Sequence, residues 1–207
     1  MIYCVDIPHF DFLGIGIMTQ KMFLRFSVLS LLLIIAAFSR ILPHPYNFSP
    51  LAAMGLLGGA FFSKKWQAIF LPLAATWLSD LFINNIIFAD YFQGFTLFYQ
   101  GFYWQYGAYA LIAIIGYFLF NTLSIPKILA GSIIATSIFF LITNFGAWLG
   151  NPLYPQTFQG LMASYIAGIP FLQGSFLGDI FYSAVLFGGF YMAGNTMRFP
   201  IIALRQE

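Results

Sequence analysis

Apolar residues run along this chain in long unbroken stretches, separated by short groups of Lys, Arg, Pro and Asn. A helix needs about 20 apolar residues to cross the hydrocarbon core of a bilayer. Six stretches qualify as candidate spans, at roughly 24–42, 48–63, 66–84, 106–124, 128–149 and 174–195. They are continuous rather than alternating, which argues against the strands of a membrane barrel. The second is short and glycine-rich (GLLGGA), the composition of a helix packed closely inside a bundle. Small residues four apart let helix backbones approach, and Gly55/Gly59, Gly131/Ala135 and Gly189/Ala193 have that spacing.

Two long segments link the spans. Residues 85–105 hold no Lys or Arg and many Phe and Tyr, which suits either an interfacial aromatic belt or a flap over a pocket. Residues 150–173 carry Pro152, Pro155 and Pro170 around a predicted short helix over 157–168. At the start, residues 1–17 lack the basic n-region of a signal peptide, and no cleavage site follows. The predicted organisation is an N-terminal tail over 1–21, a six-helix membrane domain over 22–198 and a short cytoplasmic tail over 199–207. The tail is read as disordered, as interfacial, or as an over-long start with the functional Met at 18 or 22.

Composition sharpens the class. Of 207 residues, 61% are hydrophobic and 7% charged, whereas a soluble domain carries about 25% charged residues. So few charges cannot cover a wetted surface, and lipid is the expected solvent. A net charge of +2 gives no basic face for nucleic acid. A single cysteine, Cys4, excludes an intrachain disulfide and a cysteine-rich metal site. With the N-terminus inside, Lys21, Arg25, Lys64, Lys65, Lys127, Arg198 and Arg205 all become cytoplasmic, and Arg40 alone lies opposite. That asymmetry follows the positive-inside rule and predicts an even number of spans with both termini in the cytoplasm.

Ionisable residues inside spans are costly and tend to mark function; here they are Arg40, Asp80 and Asp179. At about 1.5 Å per residue, Arg40 lies about 22 Å beyond Arg25, Asp80 about 21 Å beyond Trp66, Asn144 about 25 Å beyond Lys127 and Asp179 about 8 Å inside Gly174. All four therefore converge on the outer third of the membrane. Thr76, Asp80 and Asn84 share a face of the third span, as do Ser175, Asp179 and Tyr182 on the sixth. Ser132, Thr136 and Thr143 form a weaker line on the fifth, beside the pair Asn144 and Trp148. Stripes converging at one depth describe either a pocket open to the outside or a structural network in which Arg40 pairs with Asp80 or Asp179. One cation cannot neutralise both acids, which leaves one of them either protonated or awaiting a cationic or hydrogen-bonding ligand.

The segment from Arg40 to Pro50 (RILPHPYNFSP) is distinctive. Pro43 and Pro45 force extended backbone and end the first span, while Ser49-Pro50 suits a helix start with Ser49 as cap. His44 and Asn47 would then sit rigidly at the external mouth. No second metal ligand stands at a recognisable spacing from His44, and His9 lies in the tail, so no metal is expected. The His-Glu-x-x-His, Gly-x-Ser-x-Gly and P-loop patterns are absent, and an enzyme is not expected.

The blocks FSRILPHPYNFSPLAAMGLLGGAFF, WLSD at 77–80, TNFGAWLGNPLYPQT at 143–157 and GSFLGDIFYSAVLFGG at 174–189 resemble a family of small bacterial inner-membrane proteins, uncharacterised and labelled as transport proteins. That family is in turn similar to the substrate-binding S components of energy-coupling factor (ECF) vitamin transporters. The resemblance implies six helices, internal termini and a ligand pocket near the outer face closed by loops. S components carry an Ala-x-x-x-Ala patch on the first helix for a coupling subunit with its ATPases; here only adjacent Ala36 and Ala37 are offered. A solitary cobalamin-type transporter is another distant similarity, but no cysteine stands at an external-pocket position.

The leading expectation is therefore an inner-membrane, ECF S-component-like protein, binding and taking up a vitamin-like or nucleobase-like nutrient without a cofactor. Arg40, His44, Asn47, Asp80, Asn84, Asn144, Asn151, Asp179 and Tyr182 supply its polar contacts, and Trp148 and Tyr154 its stacking surfaces. The alternatives are a membrane scaffold or assembly protein and, further off, an intramembrane enzyme using the acid pair.

Overall fold

A computed structural model describes residues 12–92 and 94–201, with the side chains of 12–18 and 150 left aside. The expectations placed on Cys4, His9, Arg205 and most of the N-terminal tail fall outside the described residues. Six α-helices follow one another: α1 (Phe12–Ser39), α2 (Leu51–Phe61), α3 (Lys65–Phe82), α4 (Phe102–Leu119), α5 (Ile125–Gly150) and α6 (Phe158–Met197). A five-residue π-helical turn, Ile83–Ile87, extends α3. There is no strand among the described residues. Five helices are long and apolar enough to cross a membrane, which makes this a multi-pass membrane protein. Their outer faces carry Phe23, Leu31, Phe70, Phe118, Ile133 and Phe181, all exposed, as a lipid-facing surface requires.

The helix boundaries depart from the sequence reading in four places. The helix α1 starts at Phe12, so the second half of the expected tail is helical, and it ends at Ser39 rather than 42. The predicted 48–63 span contracts to the 11 residues of α2, every one of them buried. It needs no lipid-matched length because the other helices surround it. The short helix over 157–168 and the sixth span are one 40-residue helix, α6, with Pro170 inside it. Proline in a membrane helix leaves a carbonyl that neighbours can satisfy, so it does not have to end the helix. Finally, Ser49 does not cap α2: its Oγ is buried without a hydrogen-bond partner, and Pro50 precedes the first helical residue.

The core is built around α2. A Cβ on Gly55 would approach the Tyr109 carbonyl oxygen to 3.3 Å, and one on Gly116 would approach the Leu56 backbone to 3.0 Å. Thus α2 and α4 meet backbone to backbone, as small residues permit. Gly131 lies under Phe120 and Leu119. At the Gly189/Ala193 pair, by contrast, no backbone comes close: a Cβ on Gly189 would meet only a Leu32 methyl of α1, at 3.9 Å. Ala193 packs against the core, so this face is partly buried without a close backbone approach. At the end bearing Lys64 and Lys65, buried Arg25 donates to the Phe61 carbonyl and to Ser63 Oγ, the former bond fixing the last turn of α2.

Candidate functional site

The polar residues of the spans collect at the opposite end, where α1 stops and residues 40–50 begin. The ion pair Arg40–Asp80, 2.5 Å between Nη1 and Oδ1, links the end of α1 to α3. Arg40 also donates to Ser79 Oγ at 2.9 Å, and the Tyr106 hydroxyl donates to the other Asp80 oxygen at 2.7 Å. Asp80 is only 5% exposed, yet both its oxygens are engaged. On the far side, Asp179, 4% exposed, accepts from Thr136 at 2.5 Å. No basic side chain among the described residues pairs with it. One helical turn deeper, Ser132 donates to Ser183 at 3.0 Å. Of the predicted polar lines, Ser132 and Thr136 therefore meet α6 across an α5–α6 seam, at Ser183 and Asp179, while Thr143 and Ser175 bond to their own helices.

Three neighbouring hollows lie around these groups. The largest, about 1130 Å³, is lined by Arg40, Asp80 and Asn84 below and by the aromatic loop above, with Asn151 at its rim. A second, about 290 Å³, shares Arg40, Ile83, Phe88 and Gln105 with the first and reaches Asp179 and Ser49. A third, about 200 Å³, contains Asn47 and Asn144 and shares Thr143 and Ala147 with the first.

Two local features shape them. Residues 46–49 run against α6, where Gly174 and Gly178 leave room: added Cβ atoms would come within 2.0 Å of the Tyr46 carbonyl oxygen and 2.8 Å of the Ser49 nitrogen. Non-helical backbone at this depth survives in a membrane only where protein buries it or it lines a cavity. Asn47 takes a left-handed conformation (φ 59°) to make that bend, a geometry asparagine tolerates. The π-helical turn adds a residue to the end of α3, so that Asn84 faces the chamber while Asn85 reaches the loop. Asn85 accepts from the Thr96 nitrogen at 2.6 Å and donates to the Thr96 carbonyl at 2.9 Å.

The aromatic loop is fastened at further points. Trp77 Nε1 donates to the Leu97 carbonyl at 3.2 Å, and Tyr99 donates to Gln105 at 2.8 Å. Burial, followed by the nearby Asp80 charge, pushes the Tyr99 phenol above its usual range, so it stays a donor.

Of the expected site residues, Arg40, His44, Asn47, Asp80, Asn84, Asn144, Asn151 and Asp179 line one or another of these hollows. Three do other work. Tyr182 accepts from Ser39 at 3.1 Å, tying α6 to α1. Trp148 donates to the Pro155 carbonyl at 2.9 Å, and Gln156 donates to the Tyr154 carbonyl at 3.2 Å, both within the α5–α6 connection. Asn144, besides lining its hollow, donates to Phe140 of its own helix and fills the space beside Gly168. His44 lies on the exposed turn with Nδ1 at 2.9 Å from the Pro45 carbonyl oxygen.

Sequence reasoning did not single out Tyr106, Tyr99, Gln105 or Thr96, whose partners stand on other elements without a periodic signature. A test of the loop seat follows. In a Cys4→Ser background, Gly178→Leu should detach residues 46–49 and raise the reaction of Ser49→Cys with a water-soluble maleimide severalfold. An unchanged rate would show that the segment is held elsewhere.

No curated protein and no solved structure matches the chain. The sequence model of one family, described as a family of unknown function (DUF6580), matches residues 20–202, and the chain belongs to that family.

Proposed function

We propose that this protein binds a small vitamin-like or nucleobase-like nutrient at the Arg40 end of the bundle and takes it up across the bacterial inner membrane. The observation that carries the reading is the chamber of about 1130 Å³, walled by aromatic rings and floored by Arg40, Asp80 and Asn84. Aromatic walls with a few fixed polar groups are the usual build of a small-molecule site. Lys64, Lys65, Lys127 and Arg198 favour the cytoplasmic side for the other end, which leaves the chamber open to the exterior. Both support the kinship with S components that the sequence motifs suggest. Docking to a coupling subunit through the first helix gains no support, because Ala36 and Ala37 are 4% and 0% exposed and packed in the core. A protein working without an ATPase module fits that burial better. A scaffold role would need no hollow of this size.

The test is thermal unfolding of the purified protein against a panel of vitamins, nucleobases and their precursors. A ligand at a hundredfold excess over its dissociation constant adds about 2.7 kcal/mol to stability. The expected result is a rise in Tm with one compound, reduced in Asp80→Asn. A folded protein indifferent to the whole panel would overturn the proposal in favour of the scaffold.

A further inference from the structure

The two larger hollows are chemically unequal. In the chamber, the Arg40 charge is matched by Asp80, and Asp80 is saturated by Arg40 and Tyr106. In the adjoining hollow of about 290 Å³, Asp179 has one hydroxyl donor and no cation, and Ser49 Oγ has no partner at all. Two carboxyl groups, Asp80 and Asp179, line the two hollows, and Arg40, which lines both, is already taken by Asp80. Phe88, Tyr109 and Phe139 line the same small hollow. Tyr109 and Phe139 are stacked with ring centroids 5.3 Å apart, which holds that part of the wall rigid.

A buried carboxylate in hydrocarbon is costly unless a partner compensates it. Thr136 and Ser183 lie in the α5–α6 seam and bring no positive charge. A cationic group rich in N–H donors complements this carboxyl. Aromatic faces attract such a group through their quadrupoles, and an ammonium among aromatic rings is the usual outcome of that attraction. An anion would meet Asp179 directly, and an uncharged ring would leave the acid unmatched. The volume of about 290 Å³ admits an ammonium on a short stem.

We infer that the hollow at Asp179 is a subsite for the protonated amino group of the substrate, which makes the transported compound an organic cation with its ring in the aromatic chamber. The inference rests on the uptake reading and names its substrate class. Asp179 takes the charge, and Phe88, Tyr109 and Phe139 surround the rest. Arg40, held by Asp80 and Ser79, stands between the two hollows and sets the end at which the cation can sit.

Isothermal titration of the detergent-purified full chain with benzylammonium and with benzyl alcohol, nearly isosteric and differing in charge, tests it. The ammonium should bind about tenfold more tightly or better, as one desolvated cation–π and ion-pair contact allows. Asp179→Asn should bring the two affinities together. Equal affinities in the wild-type protein overturn the inference whether or not the variant folds. If the alcohol or neutral heterocycles from the wider panel bind while the ammonium has no advantage, the uptake reading survives and the cation subsite does not. If no compound binds, both fall.

Discussion

Replacing Arg40 with methionine is expected to destabilise the protein by about 3 kcal/mol, because it leaves a buried carboxylate with a single hydroxyl donor. Asp80 accepts from Arg40 on one oxygen and from Tyr106 on the other, and only the second bond survives the change. The pair is asymmetric. The Asp80 side chain is 7% exposed, whereas that of Arg40 is 19% exposed and borders the chamber. Both residues line that chamber, but the long stem of an arginine that loses its partner can turn further into it, whereas the short, more deeply buried Asp80 cannot. Asp80→Asn should therefore cost much less than Arg40→Met, even though each removes the same ion pair. The double substitution Arg40→Met with Asp80→Leu should recover most of the loss, since a buried pair exchanged for apolar groups is often neutral. Unfolding by SDS titration in mixed micelles measures all of these. Equal losses for Arg40→Met and Asp80→Asn would mean that the bond, not the stranded charge, carries the stability.

Gly59→Val should have an effect of similar size, by contact rather than charge. A Cβ at position 59 would lie 2.3 Å from the Ala113 carbonyl oxygen, 2.5 Å from the Tyr117 nitrogen and 2.8 Å from the Gly116 carbonyl carbon. All three are backbone atoms of α4 and cannot rotate away. Overpacking typically costs about 1–3 kcal/mol where side chains can yield, so a clash with helix backbone should exceed the upper end. The two helices must separate, and with them the wall that carries Tyr106 and Tyr109. Gly188→Val is the control, as nothing lies within 4 Å of its added Cβ. Loss of a monodisperse folded peak in Gly59→Val but not Gly188→Val is the expected pattern. Equal behaviour of the two would dismiss close α2–α4 packing.

Much of the frame is legible in the residues themselves. Long apolar runs report spans because lipid satisfies no backbone group, and Gly55 and Gly59 report a close neighbour. The polar stripes place Arg40, Asp80 and Asp179 at one end because unpaired polar groups cannot face hydrocarbon. What the residues do not reveal are the pairings, which depend on contacts far apart in the chain. Tyr106 meets Asp80 across 26 positions, and Thr136 meets Asp179 across 43. Pro170 misleads for a different reason: a proline read as a breaker is tolerated inside α6. Gly174 and Gly178 read as ordinary small residues, and only the path of residues 46–49 gives them a purpose.

The complete burial of α2 bears on how the chain is made. Its 11 residues are too few to cross a bilayer, so partitioning of this segment by itself cannot fix its place during synthesis. The surface that Gly55 and Gly59 present is filled by α4, which begins at Phe102 and emerges some 40 residues after α2 is finished. Until then the segment must wait beside α1 and α3 with its main contact surface unfilled. Insertion and folding are in this respect one event, completed only when the fourth helix arrives. A nascent chain arrested at Ile87 should accordingly hold α2 loosely, exposed to quality-control proteases that the finished bundle resists.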